Sequence, residues 1–290
     1  FELKLVLFLV FFAVAALAQE SSVGYSIVPN PFFSDPGRKK VQEHLENITV
    51  YDLSYKSFDG TLLDGFLIEP NDSNTNYPVI IYNRGGNGSY GRVTEQYMMM
   101  FLSKIAARGY IILGSQLRDE EDEFGGKDIS DVMQLFKIID SRKTADTSKI
   151  AQIGWSRGGI TNFLILKKTA RIKAIVNIAG PAELMKSREK MFEVYRKRVP
   201  GYQKDSVAAL HRISPINQID SIKNRKAGFL FLHGGNDVRV DVQNSRDLST
   251  RCQLTGFKSE LVVYQEGDHC LRINFPEMVE KILQWLWQEL

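Results

Sequence analysis

Short apolar runs alternate with amphipathic, helix-forming stretches along the chain from residue 48 onward. This alternation predicts an α/β domain over residues 48–290, with one mainly parallel sheet, because right-handed crossovers return successive strands to the same sheet. We expect eight strands, at residues 48–55, 62–68, 78–83, 110–114, 149–155, 173–178, 227–232 and 260–265. The flanking helices are predicted at residues 94–108, 128–141, 158–168, 241–254 and 276–289.

One segment between two predicted strands interrupts this alternation, at residues 181–211. Residues 183–198 have helical spacing and are followed by Pro200 and Gly201, so we predict a small helical lid inserted in the domain. The Arg-Lys-Arg sequence at 196–198 within it is interpreted as a solvated helix face.

The start of the chain has the pattern of a secretory signal peptide. An unbroken apolar run at residues 5–18 follows Lys4, and Ala-Leu-Ala ends at Ala18 before Gln19. The run is shorter than the roughly 20 residues of a membrane-spanning helix. We therefore predict a signal peptide over residues 1–18. An N-terminal extension over residues 19–47 would follow, in a secreted or periplasmic protein without stable membrane association. An uncleaved anchor is the alternative.

Charge balance and the small number of metal-ligating residues exclude several classes of function. The 290 residues carry a formal net charge of +3 with both signs interspersed, without the basic stripe of a nucleic-acid-binding surface. Two cysteines cannot supply a four-cysteine zinc site, and four histidines disfavour a histidine-rich metal cluster. We expect no nucleic-acid partner, no metal and no cofactor.

Two shorter features each have two interpretations. Five consecutive acids at residues 119–123 follow a predicted strand. They would attract a cationic substrate if they faced the site, but we interpret them as a solvated loop. Cys252 and Cys270 either form a disulfide that braces the second cysteine's loop or remain free thiols.

The sequence Gly-Trp-Ser-Arg-Gly at residues 154–158 lies between a predicted strand and a predicted helix. In that setting the G-x-S-x-G pattern predicts a sharp turn that exposes the Ser156 hydroxyl at the start of the helix. Gly154 and Gly158 leave out side chains that would clash in this turn. A serine hydroxyl is a weak nucleophile that needs a base, and the base needs an orienting acid. We predict that Ser156 is a nucleophile.

The acid and the base are expected later in the chain, because this arrangement has the order serine, acid, histidine. Asp237 and His269 each come just after a predicted strand, at the edge where open α/β sheets bind ligands. We select them as acid and base. The rival Asp241 is interpreted as a helix cap, Asp268 as a turn residue, and His233 as support for the Asp237 loop.

A tetrahedral oxyanion needs two hydrogen-bond donors. We predict that one is the backbone N–H of Arg157, the residue after the serine. The second is expected from the glycine-rich loop at residues 84–88, with the N–H of Gly85 as the candidate.

Several segments together resemble the catalytic domain of the prolyl oligopeptidase family of serine peptidases, within the α/β-hydrolase fold. The matching segments are residues 122–128, 154–159, 214–216, 232–237 with Arg239 and Val240, and 267–269. The resemblance spans about residues 50–290 and implies that Ser156 is the nucleophile, Asp237 the acid and His269 the base.

The chain departs from that family in two respects. Arg84 stands where members usually have His or Tyr before two glycines, so a side-chain hydroxyl donor to the oxyanion is not expected there. Many members also carry a large N-terminal β-propeller. Only residues 19–47 separate the predicted signal peptide from the first predicted strand, so we expect no propeller and assign substrate selection to the lid and loops.

The triad motifs predict a serine hydrolase that works through an acyl-enzyme on a peptide or a small acyl substrate, and the resemblance implies that it cleaves peptide bonds. Carboxylic-ester hydrolysis is the alternative, because the same triad serves both reactions. A non-catalytic binding protein is the alternative from another class, and a complete triad in the expected order argues against it.

Overall fold

Nine strands form one sheet in the part of the chain that the computed structural model describes, residues 24–72 and 76–290. The predicted signal peptide at residues 1–18 lies outside the described residues. The order across the sheet is β1-β2-β3-β5-β4-β6-β7-β8-β9. The strands are β1 (Tyr25–Pro29), β2 (Ile48–Lys56), β3 (Leu62–Pro70), β4 (Tyr77–Asn83), β5 (Ile111–Ser115), β6 (Ala145–Trp155), β7 (Ile172–Ile178), β8 (Gly228–Gly234) and β9 (Ser259–Tyr264).

The sheet is mainly parallel, as predicted. The pairs β1–β2, β2–β3 and β3–β5 are antiparallel, and the remaining five pairs, from β5–β4 to β8–β9, are parallel. The ninth strand beyond the eight expected is β1, in the segment predicted as an extension. It is a five-residue edge strand with only Tyr25 and Ile27 buried, which is too short a pattern for alternation to indicate a strand.

Helices pack on both faces of the sheet. They are α1 (Pro31–Ser34), α2 (Pro36–Val41), α3 (Glu95–Tyr97), α4 (Ser103–Ala106), α5 (Lys127–Ser141), α6 (Arg157–Leu166), α7 (Glu189–Arg198), α8 (Ser206–Ile213), α9 (Gln243–Leu254) and α10 (Phe275–Glu289). A π-helical turn at Met98–Leu102 joins α3 to α4 within the single helix expected there. None of the described helices is long and apolar enough to span a membrane.

The central strands are buried on both faces. In β5, Ile111 and Leu113 belong to the core under α5, α6 and α9, whereas Ile112 belongs to the core under α4 and α10. Successive side chains of a strand point to opposite faces, so a strand covered on both sides has a continuous apolar sequence. Because β4, β6, β8 and β9 run parallel, the loops at their carboxyl ends lie together along the same side of the sheet, the side formed by these strand ends.

The segment between β7 and β8 contains α7 and α8, in the region predicted as a lid. The interpretation of residues 196–198 as a solvated face is wrong for its last member, because Arg198 is buried. Its Nη1 donates to the backbone carbonyls of Asp119, Glu120 and Asp122 at 3.0, 2.8 and 3.2 Å. One long cationic side chain therefore ties α7 to the acidic loop after β5.

Candidate active site

Ser156 occupies a strained turn between β6 and α6. Its backbone has φ 55° and ψ −117°, a region that residues other than glycine rarely adopt and that marks functional turns. A Cβ on Gly154 would lie 2.3 Å from the carbonyl oxygen of Gly158, and one on Gly158 would lie 1.9 Å from that of Asn83. Both motif positions therefore require glycine, and the turn presents Ser156 at the first residues of the helix.

His269 and Asp237 are joined by a hydrogen bond between loops that follow different strands. His269 Nδ1 lies 2.7 Å from Asp237 Oδ2. The other carboxylate oxygen of Asp237 accepts the backbone N–H groups of Arg239 and Val240 at 2.7 and 3.0 Å. Because a carboxylate accepts, Nδ1 carries the proton of this bond, and the Nε2 atom of a neutral His269 is left as an acceptor.

Asp237 stays ionised despite its burial. Burial alone raises the pKa of this carboxyl, but hydrogen bonds from His233, His269 and the Val240 N–H outweigh that effect. The net result holds the pKa of Asp237 well below its ordinary value. A negative charge therefore faces the His269 ring, where it would stabilise an imidazolium.

His233 is fully buried against the same carboxylate. Its Nε2 lies 3.2 Å from Asp237 Oδ2 and 3.0 Å from the carbonyl oxygen of Val240. Both are acceptors, so Nε2 carries the proton, and Nδ1 accepts the hydroxyl of Ser245 at 2.7 Å. These contacts match the role expected for His233, which is to support the Asp237 loop.

The two rival acids lie in local turns. Asp241 accepts the backbone N–H of Gln243, the first residue of α9, at 2.8 Å. Asp268 accepts the N–H groups of Cys270 and Arg272 at 3.0 and 3.3 Å. Neither has a hydrogen bond to His269 among those of the described residues, so Asp237 is the acid that contacts this ring.

The loop after β4 packs against the serine. A Cβ on Gly85 would lie 3.3 Å from the Cβ of Ser156, so the Gly85 backbone is directly beside the serine side chain. Neither the Gly85 nor the Arg157 N–H donates to a described group. Arg84 is buried and shapes this loop, with its guanidinium donating to carbonyls that include those of Gln116 and Gly88. Burial and the nearby Arg157 lower the pKa of Arg84 to about 10.

The side chain of Arg157 forms a buried ionic centre that the sequence did not indicate. Its two Nη atoms contact the Asp122 carboxylate at 2.5 and 2.7 Å, and Nη2 lies 3.2 Å from Asp128 Oδ2. Its guanidinium carbon stacks 4.0 Å from the ring centroid of Phe124. Burial alone lowers the pKa of Arg157, but the bonds to Asp122 and Asp128 reverse this, so the pKa is raised.

The interpretation of residues 119–123 as a solvated loop is therefore wrong for Asp122. This residue is 3% exposed, and its Oδ2 also accepts the backbone N–H of Gly88 at 2.7 Å. Pairing and hydrogen bonding make burial of the carboxylate tolerable. The burial of Asp122 could not be predicted, because the sequence does not show which of the five acids pairs with an arginine.

A cavity of about 1150 Å³ opens at this edge of the sheet. Four of the five predicted site residues line it, namely Ser156, His269, Gly85 and Arg157. Asp237 contacts His269 and does not line the cavity. The structure thus brings together all five residues that the sequence selected.

Cys270 also lines this cavity, and Cys252 is buried in the core. Both are free thiols, which decides between the two interpretations of this pair. Among the described residues, no group of three or more His, Cys, Asp or Glu side chains is arranged to hold a metal ion.

Comparison with the models of known families shows which family the chain belongs to. The model of the prolyl oligopeptidase family matches residues 102–290, which include Ser156, Asp237 and His269. The chain belongs to the prolyl oligopeptidase family. The resemblance found in the sequence is therefore confirmed.

Relatives within the prolyl oligopeptidase family differ greatly in length. The chain is 25% identical over 255 residues to the uncharacterized peptidase YtmA of Bacillus subtilis, covering 83% of this chain and 94% of that protein. It is 24% identical over 274 residues to dipeptidyl aminopeptidase A of Saccharomyces cerevisiae, covering 86% of this chain but 29% of that protein. It therefore spans nearly all of one relative and less than a third of the other.

Solved structures confirm the fold expected for a prolyl oligopeptidase catalytic domain. Pyrococcus horikoshii acylaminoacyl peptidase aligns with a TM-score of 0.74 at 20% identity, over 87% of this chain and 44% of that one. Porphyromonas gingivalis dipeptidyl peptidase 4 aligns with a TM-score of 0.67 at 15% identity, over 94% of this chain and 41% of that one. The α/β-hydrolase fold is thus confirmed, and family membership makes the chain an enzyme of the serine peptidase type.

Proposed function

We propose that the chain cleaves peptide bonds with Ser156 as nucleophile, His269 as general base and Asp237 as the acid that orients the base. The observation that carries the proposal is the 2.7 Å bond from His269 Nδ1 to an ionised Asp237, beside a cavity that Ser156 also lines. This bond fixes the tautomer of His269 with Nε2 free to accept a proton.

In the acylation step, Ser156 Oγ attacks the substrate carbonyl carbon while its proton passes to His269 Nε2. The oxygen of the tetrahedral intermediate accepts the backbone N–H groups of Arg157 and Gly85, aided by the positive end of the α6 dipole. The C–N bond then breaks, and His269 returns the proton to the leaving amine. An ester bond joins the acyl group to Ser156.

Deacylation repeats these steps with water as the nucleophile. His269 Nε2 takes a proton from water as its oxygen attacks the acyl carbon, and the same proton is returned to Ser156 Oγ when the ester breaks. The products are a carboxylic acid and the amine, and the enzyme regains its starting state.

Turnover of two matched panels of substrates, one of amides and one of esters, tests which type of bond the enzyme cleaves. Peptide nitroanilides and nitrophenyl esters of the same acyl groups are supplied to the wild type and to Ser156→Ala. We expect hydrolysis of both panels by the wild type and loss of both in the variant. Hydrolysis of esters alone would replace the proposal with the esterase alternative. If a folded wild type turns over neither panel and a fluorophosphonate does not label it, the proposal is overturned and the result favours the binding-protein alternative.

We also propose that the chain is exported, on the basis of the apolar run at residues 5–18 and the Ala-Leu-Ala sequence that ends at Ala18. Mass spectrometry of the protein secreted by its native cells should identify Gln19 as the mature N-terminus. Residues 1–18 retained on protein from the membrane fraction would support the uncleaved anchor instead.

A further inference from the structure

The charges that line the active-site cavity are strongly unbalanced. Among the residues that the structure describes, seven Lys or Arg line it, against a single acid, Asp241. The whole chain, by contrast, has 37 basic and 34 acidic residues. None of the five acids at residues 119–123 is part of this lining, so the structure gives no support to attraction of a cationic substrate by that run. The cavity that Ser156 lines therefore has an excess of basic side chains.

Most of these cations already have partners. Four of the seven contact carboxylates, namely Arg92, Arg157, Lys186 and Arg272. Arg239 donates to the hydroxyl of Tyr90 at 3.3 Å. Arg188 and Lys190 have neither a hydrogen bond nor an ion pair with any side chain of the described residues. Their charges are therefore available to a bound molecule.

Arg188 and Lys190 lie at the start of α7, in the predicted lid. Arg188 is the residue before its first turn, and Lys190 is the second residue of the helix. The first N–H groups of a helix carry partial positive charge that adds to both side chains. Glu189 stands between them in sequence but is not among the cavity-lining residues. The start of α7 thus presents an uncompensated positive patch to the cavity.

We infer that Arg188 and Lys190 bind a carboxylate of the substrate, so that the enzyme prefers peptides that place a carboxylate at the start of α7. This inference rests on the proposed function, because the carboxylate is the anion that peptides themselves carry. A concave site lined by one sign of charge attracts ligands of the opposite sign. The carboxylate belongs either to an acidic side chain or to a free C-terminus, and these two sources share the same chemistry.

Fluorogenic peptides of one parent sequence test the inference. A single residue is made Glu, Gln or Lys, and each peptide is made with a free or an amidated C-terminus. For the wild type we expect kcat/KM to be about tenfold higher for one carboxylate-bearing peptide than for its amide counterpart, which corresponds to ~1.4 kcal/mol. The Glu–Gln comparison detects a side-chain carboxylate, and the acid–amide comparison detects the C-terminus.

Substitution connects the preference to the lid. In the double variant Arg188→Gln/Lys190→Gln, the ratio of kcat/KM for the carboxylate-bearing peptide to kcat/KM for its amide counterpart should fall towards one. Both side chains are exposed, so the fold should be retained, and an unchanged thermal unfolding temperature checks this. Lys197→Gln is the matched control, because Lys197 is an exposed cation of the same helix that does not line the cavity. This control should keep the wild-type ratio.

Ionic strength gives an independent measurement. The Debye length falls from about 10 Å at 0.1 M salt to about 3 Å at 1 M, so the preference of the wild type should shrink at high salt. The inference is overturned if charged and neutral peptides differ by less than about twofold in the wild type, or if the double variant keeps the preference. Failure of the proposed function would look different, since no peptide of any charge would then be cleaved.

Discussion

Asp122 holds both Nη atoms of Arg157, at 2.5 and 2.7 Å, in an interior where neither residue is more than 4% exposed. The same carboxylate accepts the backbone N–H of Gly88 at 2.7 Å. One buried ion pair therefore connects the glycine loop after β4 to the first residue of α6. These are the two segments that carry Gly85 and Arg157, the proposed oxyanion donors.

We predict that Asp122→Asn destabilises the protein and slows turnover. Without the Asp122 charge, the buried Arg157 guanidinium keeps only one ionic partner, the Asp128 carboxylate at 3.2 Å. Breaking a buried ion pair in this way costs about 3 kcal/mol in the free energy of unfolding. Urea denaturation followed by tryptophan fluorescence measures this cost. Glu121→Gln is the control, because the neighbouring Glu121 side chain is 70% exposed and its loss should change the free energy by less than about 0.5 kcal/mol. Equal effects of the two substitutions would contradict a special role for Asp122.

The two histidines that contact Asp237 should respond differently to substitution by alanine. His269→Ala should abolish labelling by a fluorophosphonate or slow it by several orders of magnitude, because Ser156 loses its base. His233→Ala should mainly lower the thermal unfolding temperature, since this buried ring supports Asp237 and does not line the cavity. Residual labelling is expected in this variant. Normal labelling of a folded His269→Ala, with none in a folded His233→Ala, would show that the base is misassigned.

The lowered pKa of Asp237 predicts a pH dependence of stability. The folded chain holds this pKa below the ordinary value of about 3.9. Between the two values the unfolded chain binds a proton that the folded chain does not. The stabilisation is therefore fully present above about pH 4 and is lost as the pH falls through the folded-state pKa.

Asp237→Asn removes this titration. The difference in free energy of unfolding between the wild type and the variant should be largest and constant above about pH 5, and it should shrink as the pH falls to about pH 3 and below. Urea denaturation of both proteins over this range measures the difference. Ser156→Ala, which keeps the carboxylate, should follow the wild type. A difference that stays constant with pH would contradict the lowered pKa.

The site residues could be predicted from the sequence where the nearby residues determine where a side chain lies. The turn at Ser156 follows from glycines that no other residue could replace, because a Cβ on Gly158 would lie 1.9 Å from the carbonyl oxygen of Asn83. Asp237 and His269 were found because the order of parallel strands fixes which loops share an edge. Each of these residues could be selected from one segment and its place after a strand.

Long-range pairing could not be predicted in the same way. The ion pair of Arg157 with Asp122 depends on how the loop after β5 packs against the first residue of α6. A run of five acids contains no sign of which one is buried. The burial of Arg198 similarly depends on backbone carbonyls that any sequence would supply. The edge strand β1 was not predicted from the sequence. An edge strand pairs on one side only, and the five residues of β1 are too few to show a clear alternation of buried and exposed side chains.

Covalent labelling of Ser156 tests the central claim most directly. A fluorophosphonate reacts with a serine that a neighbouring base activates, so wild-type protein should gain one adduct that maps to the peptide containing Ser156. Ser156→Ala should remain unlabelled while keeping the wild-type unfolding temperature. An adduct on another serine of the folded protein, or labelling of Ser156→Ala at the wild-type rate, would contradict the account.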